Sequence, residues 1–242
     1  MIPKIIHYCW FGGKDMPALA KKCIASWKKY QPEFEIKCWS EYNFDIDNSV
    51  AYLKEAYAKK KYAFVSDYVR LYALYNYGGI YLDTDVEVIK DFSSLLKEKS
   101  ILGYETDDTI STAFMAVPPK ATWVRSLLDI YEQRHFIRED GSLEMTTNVA
   151  FISNYLRKQG IVLNGEFSDG DDIQIYPAEY FSPRSWDNGK YSITKNTFTI
   201  HYFAGTWHST FSKMLSHFFT NAQIVKIASL KSQILKFLDK KL

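Results

Sequence analysis

The sequence has few cysteines, almost no net charge and no long hydrophobic run. Its three cysteines, Cys9, Cys23 and Cys38, are odd in number and lack metal-ligand spacing, so we expect small core residues in a reducing compartment. The 30 basic and 28 acidic residues nearly cancel, which argues against nucleic-acid binding. No apolar run reaches membrane-spanning length and no leader peptide is recognisable, so we expect a cytoplasmic protein.

What the chain does have is enough apolar content for one large core. Of its 242 residues, 47% are hydrophobic and 17% are aromatic, and no repeat or low-complexity linker divides them. Strand and helix patterns alternate along residues 1–220, which predicts one α/β domain with a mostly parallel, Rossmann-related sheet flanked by helices. We predict strands at 5–10, 34–39, 80–88, 101–105, 113–117, around 162, at 173–176 and 197–203, and helices at 17–30, 50–60, 64–77, 121–133 and 147–157.

The helix predicted at 64–77 carries two charges in apolar surroundings. At about 100° per residue, Asp67 and Arg70 fall in one narrow arc with Ser66, and apolar side chains cover most of the other faces. Such a helix should be buried, and a buried charge needs a partner because desolvating an unpaired one is costly. The three-residue spacing lets Asp67 and Arg70 pair with each other, and the residues that follow offer a second possibility.

Two aspartates end the hydrophobic strand that follows this helix. A Gly-Gly pair terminates the helix, and in the strand predicted at 80–88 the side chains of Tyr81, Asp83 and Asp85 share one face. Carboxylates placed so close repel each other. Mg²⁺ or Mn²⁺ relieves that repulsion and typically combines one or two protein carboxylates with substrate phosphate oxygens. We therefore predict a metal site here, with a polar strand end as the alternative.

Spacing alone does not predict metal binding in this chain. Asp45 and Asp47 have the same separation, but they lie in a polar stretch before a helix, where a capping role is the better interpretation. Asp83 and Asp85 differ because they follow a hydrophobic strand and a buried helix that has charges of its own.

Three segments resemble glycosyltransferase family 32, the DXD-containing sugar-binding glycosyltransferases that include bacterial capsular-polysaccharide and lipopolysaccharide enzymes. They are Ser66 to Asp85, Ile2 to Gly13 and His201 to Trp207. The first is long and specific, the other two are shorter, and together they frame residues 2–207. The resemblance implies a GT-A-like fold, Mn²⁺ or Mg²⁺ as cofactor, a nucleotide-sugar donor and retention at the anomeric carbon.

The resemblance also implies roles for the residues already singled out. Asp83 and Asp85 would hold the metal on the donor diphosphate, which neutralises charge on the leaving group. Asp67 would accept hydrogen bonds from hydroxyls of the donor sugar, and Arg70 would bridge a hydroxyl and a phosphate. These four form the predicted catalytic set, and Tyr81 joins the donor site. The sequence reveals no dedicated nucleophile, so a front-face displacement is expected.

Four further residues complete the predicted site. Trp10 stands beside a glycine turn at the end of the first strand, and the resemblance implies stacking on the nucleotide base, with a core aromatic as the alternative. His201, at a strand end before a glycine loop, suits a third metal ligand, with a buried structural histidine as the alternative. Trp207 resembles a lid tryptophan that contacts the diphosphate. By its place in the family order, Asn148 reaches the donor or acceptor.

Other polar residues are assigned structural roles. His7 lies within the first strand and is expected to be a satisfied core histidine. Thr146 or Thr147 is expected to cap the following helix. The acidic segment 105–108 is either solvated or within reach of the sugar or the acceptor.

Residues 221–242 are predicted to form a separate basic, amphipathic helix. Isoleucines and leucines recur there at near-helical spacing, and lysines supply positive charge. Such a helix can lie on an anionic membrane, here the inner face of the plasma membrane, or pack on the domain or a second subunit.

The sequence therefore predicts a metal-dependent, retaining hexosyltransferase in cell-surface polysaccharide synthesis. UDP-galactose or UDP-glucose is favoured as donor, and the expected acceptor is a glycan, lipid-linked in the favoured interpretation. A glycoside hydrolase is disfavoured because its two carboxylates flank a cleft instead of standing two apart on one strand. A non-catalytic nucleotide-sugar or glycan-binding module is the remaining alternative, and it would tolerate loss of Asp85.

Overall fold

The computed structural model describes residues 1–185 and 188–205, so Trp207 and the helix predicted at 221–242 lie outside the described residues. Strands and helices alternate as predicted. In chain order they are β1 (Ile5–Cys9), α1 (Ala18–Tyr30), β2 (Glu35–Trp39), α2 (Ala51–Ala58), α3 (Tyr62–Tyr77), β3 (Gly79–Leu82), β4 (Val86–Val88), β5 (Ser100–Thr106), β6 (Thr109–Val117), α4 (Thr122–Glu132), α5 (Asn148–Lys158), β7 (Ser168–Asp169), β8 (Ile173–Tyr176), α6 (Ala178–Phe181) and β9 (Thr199–His201).

A seven-stranded sheet forms the centre of the molecule, in the order β2-β1-β3-β6-β5-β8-β7. Strands β2, β1, β3, β5 and β8 run in one direction, and β6 and β7 run against them. The predicted mostly parallel α/β sheet is therefore confirmed. Strands β4 and β9 form a separate, antiparallel pair.

Helices cover both faces of the sheet, as predicted. On one face α2, α3, α4 and α5 pack over Tyr81, Tyr104 and Met115. On the other face α1, β4 and α6 pack over Ile80 and Leu82. Ile80, Tyr81 and Leu82 thus alternate between the two cores, as the two-residue period of a strand requires.

The strand predicted at 80–88 is wrong in one respect. It breaks after Leu82, and residues 83–85 form a turn that carries the chain from the main sheet to the small one. The alternation of side chains continues across the break, which is why the pattern read as one strand. The strand predicted around Val162 is also wrong, because this segment has no regular structure. No helix among residues 1–185 and 188–205 is long and apolar enough to cross a membrane.

His7 is the satisfied core histidine that the sequence predicted. Its side chain is fully buried, Nε2 lies 2.8 Å from the Gly78 carbonyl oxygen, and Nδ1 lies 3.2 Å from the Trp39 indole nitrogen. Because the indole N–H can only donate, Nδ1 accepts and Nε2 carries the proton. Burial lowers the pKa of His7 to about 4, so the ring is neutral.

Candidate functional site

The turn between β3 and β4 places two carboxylates at the carboxyl end of a central strand. The Asp83 amide donates to the Ala113 carbonyl at 3.0 Å, and the Val86 amide donates to the Asp83 carbonyl at 3.0 Å. These two bonds close the turn and fix Asp83 and Asp85 where the chain crosses between the sheets. In α/β proteins, ligands bind at this end of the strands.

The small sheet brings His201 to the same turn. Val86 pairs with His201, and the Tyr202 amide donates to the Asp85 carbonyl at 3.0 Å. Asp85 Oδ2 accepts from the Ala204 amide at 2.7 Å, while its Oδ1 lies 3.4 Å from His201 Nε2. Asp85 is therefore held by β9 and by the backbone that follows it.

Asp83, Asp85 and His201 form a group that suits a divalent cation. One ligand atom from each lies within 4.8 Å of the others. His201 is only 8% exposed, yet its Nδ1 has no hydrogen-bond partner among the described residues. Two carboxylate oxygens and an imidazole nitrogen are the donor set expected for a borderline or hard cation. The chemistry of these side chains fits a metal ion such as Mn²⁺.

Asp67 and Arg70 approach the same turn from α3. The helix is apolar on nearly every side, so it packs deep in the core and leaves Asp67 and Arg70 only 7% and 5% exposed. Arg70 Nη2 lies 3.1 Å from Asp67 Oδ1 and 3.4 Å from Asp83 Oδ1. The charges thus pair with each other, as the helical spacing allows, and Arg70 also links the helix to the turn.

Tyr81 adds a further contact to this network. Its hydroxyl donates to Asp83 Oδ1 at 3.1 Å, and the Arg70 guanidinium lies over its ring at 4.5 Å from the centroid. Tyr81 is 2% exposed, so it contacts Asp83 and Arg70 from the side of the protein core.

An irregularity in β6 supplies two backbone carbonyls to the site. Leu102 pairs with Met115, but the next residue, Gly103, pairs with Ser111, so residues 112–114 of β6 have no partners on β5. In this segment the Thr112 carbonyl accepts from Arg70 Nη1 at 2.7 Å, and the Ala113 carbonyl accepts from the Asp83 amide. Sequence reasoning missed this contribution because backbone carbonyls leave no signature in the residue types.

Burial and neighbouring charges shift the pKa values of the site in different directions. Burial raises the pKa of Asp67 to about 6, although the Arg70 guanidinium opposes the shift. Burial also acts to raise the pKa of Asp85, but His201 and the Ala204 amide outweigh it and leave that pKa below its usual range. For His201, burial alone would lower the pKa, and the carboxylates led by Asp85 raise it overall. The site therefore concentrates negative charge around one imidazole.

Trp10 lies where the sequence placed it, at the end of β1. It is partly buried, and its indole nitrogen donates to the Lys14 carbonyl at 2.6 Å, across the glycine turn. Gly12 in this turn has φ +92°, and a Cβ there would come within 2.3 Å of the Tyr62 ring at the start of α3. Only glycine fits at position 12, so the turn packs closely on the helix that carries Asp67.

Asn148 lies behind the site. It is 2% exposed, its Nδ2 donates to the backbone carbonyl of Asp67 at 3.1 Å, and its Oδ1 accepts from the Tyr131 hydroxyl at 3.2 Å. In this arrangement Asn148 fixes the segment of α3 that presents Asp67. Thr147 caps α5 by accepting from the Ala150 amide at 3.3 Å, as one of the two predicted caps.

The structure thus brings together Asp67, Arg70, Tyr81, Asp83, Asp85 and His201, with Asn148 adjoining through the backbone. The predicted lid residue, Trp207, lies outside the described residues.

Comparisons with known proteins show a family match over part of the chain, relatives in sequence and a similar fold. Residues 17–102 match the family described as "Glycosyltransferase sugar-binding region containing DXD motif". The match covers α3 and the turn with Asp83 and Asp85, and it bears out the resemblance over these residues. Assignment to family 32 and to the bacterial surface-polysaccharide type stays a prediction.

Two curated relatives and one solved structure extend the similarity beyond the family match. An uncharacterized glycosyltransferase of Acanthamoeba polyphaga mimivirus is 25% identical over 94% of this chain and 92% of its own length. Inositol phosphoceramide mannosyltransferase 1 of Schizosaccharomyces pombe is 21% identical over 88% of this chain and 64% of its own length. The PaToxG glycosyltransferase structure superposes with a TM-score of 0.53 at 22% identity, over 65% of this chain and 70% of that chain. That superposition supports the shared fold.

Proposed function

We propose that this protein is a metal-dependent glycosyltransferase that moves a hexose from a nucleotide sugar to a glycan acceptor. The observation that carries the proposal is that the candidate cation ligands and a buried ion pair meet at the turn between β3 and β4. Asp83, Asp85 and His201 offer cation ligands, and the buried pair of Asp67 and Arg70 reaches Asp83 from α3. The family match and the names of the relatives support the same class of reaction.

The cation is assigned to Asp83, Asp85 and His201. When bound, it would neutralise the charge that develops on the diphosphate leaving group. His201 is the ligand that makes Mn²⁺ a better fit than an all-oxygen site would, since imidazole prefers transition metals. The contact with Arg70 keeps Asp83 oriented before any ligand arrives.

Asp67 is assigned to the hydroxyls of the donor sugar. Its carboxylate is held by Arg70 on one side, and its backbone carbonyl is held by Asn148 on the other. Such a carboxylate accepts hydrogen bonds with little reorganisation, which is what substrate positioning requires. The guanidinium of Arg70 offers charge-assisted donation to a hydroxyl or phosphate oxygen. Trp10 is assigned to the nucleotide base, and Trp207 to the diphosphate.

Retention at the anomeric carbon is part of the proposal. The carboxylates of Asp67, Asp83 and Asp85 are already committed to Arg70, to His201 or to a backbone amide. We therefore favour a front-face displacement, in which the bond between the anomeric carbon and the donor phosphate breaks, an oxygen of the leaving phosphate accepts the proton of the acceptor hydroxyl, and the acceptor oxygen forms the new glycosidic bond on the same face.

The decisive experiment measures nucleotide release from UDP-glucose, UDP-galactose and GDP-mannose, with Mn²⁺ and with EDTA. GDP-mannose belongs in the screen because one relative is named as a mannosyltransferase. Asp85→Ala should lower Mn²⁺-dependent release by at least about 100-fold, the scale of losing one preorganised electrostatic contact. Asp47→Ala is the matched control because Asp47 lies in an exposed Asp-x-Asp pair, and it should leave the rate unchanged.

Two results would reject the proposal. Equal release by the Asp85→Ala and Asp47→Ala variants would remove the metal site from the reaction. Mn²⁺-dependent binding of a nucleotide sugar, seen as a higher melting temperature but without turnover on any glycan tested, would instead indicate a binding module.

The acceptor in this proposal is a lipid-linked glycan. Its support comes from the sequence of residues 221–242, where apolar residues recur at near-helical spacing and lysines supply positive charge. Such a helix can bind an anionic membrane, which is where a lipid-linked acceptor would be found. Flotation with vesicles rich in phosphatidylserine should capture the full chain and not a chain that ends at Asn221. Equal flotation of the two chains would reject membrane binding by residues 221–242. It would not affect the proposal for the nucleotide-sugar donor.

A further inference from the structure

Glu105 is an acidic residue at the end of β5 that the proposed mechanism does not use. Tyr104 pairs with Ile110 and Thr106 pairs with Thr109, so two steps along β5 match one step along β6. Glu105 is therefore the extra residue of a β-bulge. Bulges re-aim a side chain and are common beside active sites.

Contacts with Phe181 show what lies near this part of β5. A Cβ on Gly103 would lie 2.7 Å from the Phe181 ring, and the Thr199 hydroxyl donates to the Phe181 carbonyl at 2.7 Å. Phe181 therefore lies between β5 and β9. Glu105 and His201 each come two residues after the residue that contacts Phe181. Two residues of extended chain span at most about 7 Å, so the backbones of both residues lie close to Phe181.

The electrostatics agree with that placement. The Glu105 carboxylate is one of the charges that raise the pKa of His201. In turn, burial, followed by Asp83 and Asp85, raises the pKa of Glu105 itself, against an opposing effect of His201. Glu105 thus interacts electrostatically with all three candidate cation ligands, and neither Asp67 nor Arg70 is among its main electrostatic partners.

Glu105 has an unused carboxylate and is not one of the three clustered candidate ligands. It lies outside the group whose ligand atoms all come within 4.8 Å of one another. Within residues 1–185 and 188–205 it is partly buried and makes no hydrogen bond or ion pair. A second and independent sign that this region accepts a ligand is the buried Nδ1 of His201, which lacks a partner in the same part of the chain.

We propose that Glu105 is a positioning residue for the cation, and that its carboxylate accepts a hydrogen bond from a water molecule bound to the ion held by Asp83, Asp85 and His201. The inference rests on the proposed function. Mg²⁺ and Mn²⁺ give up their waters reluctantly and usually keep several of them. A carboxylate one water away orients that water and adds attraction for a divalent charge, in the way that outer-shell partners tune metal sites.

The test titrates Mn²⁺ alone into the full chain, with free Mn²⁺ followed by electron paramagnetic resonance. Glu105→Gln keeps the shape of the side chain and removes its charge, so Mn²⁺ affinity should fall by about 10–100-fold, the range for outer-shell partners. Asp107→Asn is the matched control, since Asp107 is exposed on the same loop, and its affinity should stay within about twofold of the parent chain. Glu105→Asp retains the charge and should recover most of the lost affinity through the same water.

Three outcomes would overturn the inference, and they are distinguishable. Parent-like Mn²⁺ affinity in Glu105→Gln would remove Glu105 from the cation site. Parent-like Mn²⁺ affinity with weaker binding of UDP-glucose, but not of UDP, would assign Glu105 to the sugar. Absence of Mn²⁺ binding by the parent chain would reject the proposed function together with this inference. Far-UV circular dichroism and melting in EDTA establish that each variant is folded.

Discussion

His7 and His201 are both buried on strands of this protein, and their surroundings differ in almost every respect. Both ring nitrogens of His7 have partners, in Trp39 and Gly78, and burial lowers its pKa. His201 has Asp85 near one nitrogen and nothing bonded to the other among the described residues, and surrounding carboxylates raise its pKa.

The difference distinguishes a buried histidine that stabilises the fold from a buried histidine that can bind a ligand. A histidine whose hydrogen bonds are complete stabilises the fold, and a ligand would gain nothing from it. A histidine with one unbonded nitrogen among carboxylates contributes less to the fold and can offer a nitrogen to a cation. Substituting each histidine in turn should therefore affect different measurements.

The largest effect on folding is expected from His7→Phe. The ring shape is nearly kept, but the Trp39 indole N–H and the Gly78 carbonyl lose their buried partner, at about 1–3 kcal/mol each. We expect the unfolding free energy in urea to fall by about 2–6 kcal/mol, with Mn²⁺ affinity unchanged. His135→Ala is the control at an exposed histidine and should cost less than about 1 kcal/mol. A stable His7→Phe variant that fails to bind Mn²⁺ would show that His7, and not only His201, serves the cation site.

The same histidine should make stability depend on pH. The folded pKa of about 4 lies below the ordinary value of 6.5, so the unfolded chain binds the proton first as the pH falls. Stability should therefore decrease from pH 6.5 to pH 4, by of the order of 3 kcal/mol.

Asp67 acts in the opposite direction over part of this range, because its folded pKa of about 6 lies above its ordinary value. The difference between the parent chain and His7→Phe, measured by urea unfolding at several pH values, isolates the contribution of His7. Parallel pH profiles would show that His7 is not the source.

His201→Ala should produce the complementary result. Loss of a direct ligand should weaken Mn²⁺ binding beyond the roughly 100-fold limit typical of outer-shell partners, which corresponds to about 2.7 kcal/mol. The metal-free melting temperature should change little, because the ring makes few bonds that stabilise the fold. Calorimetric titration with Mn²⁺ and a melt in EDTA give both quantities. A large loss of metal-free stability together with normal Mn²⁺ binding would make His201 structural, like His7.

The smallest effect is expected from Asp67→Asn. The raised pKa of Asp67 means that stability is lost as the pH rises from its ordinary value of 3.8 to about 6, and asparagine removes that loss. Since the pair with Arg70 is lost as well, we expect a net gain of only about 1 kcal/mol at neutral pH. Nucleotide release should nevertheless fall sharply. A melting temperature measured at pH 7.5 that drops well below that of the parent chain would show that Asp67 is needed for folding.

Local periodicity was enough to predict α3 and its two charges. Apolar residues on nearly every face indicated burial, and the helix indeed spans Tyr62–Tyr77 with Asp67 and Arg70 inside the core. The Gly-Gly ending also predicted, to within one residue, where the next strand begins.

Long-range contacts explain what the sequence could not predict. The break after Leu82 depends on the Ala113 carbonyl and on pairing with β9, and neither is visible in the residues around Asp83. The position of Glu105 depends on a register shift between β5 and β6, so the sequence showed only an acidic loop. Residue types thus indicated the chemistry of the site, and strand register determined which carboxylates met.

The hydrogen bond between the Asp85 carboxylate and the backbone after β9 has a consequence for protein synthesis. The Asp85 carboxylate and the Ala204 amide lie 119 residues apart in the chain. At roughly 5–20 residues per second, the ribosome needs of the order of 10 s to add that length. During this interval β4 has no partner strand, and the Asp85 carboxylate lacks the Ala204 amide that holds it in the folded chain. Newly made molecules should therefore complete this site only after Thr199–His201 and Ala204 have been translated.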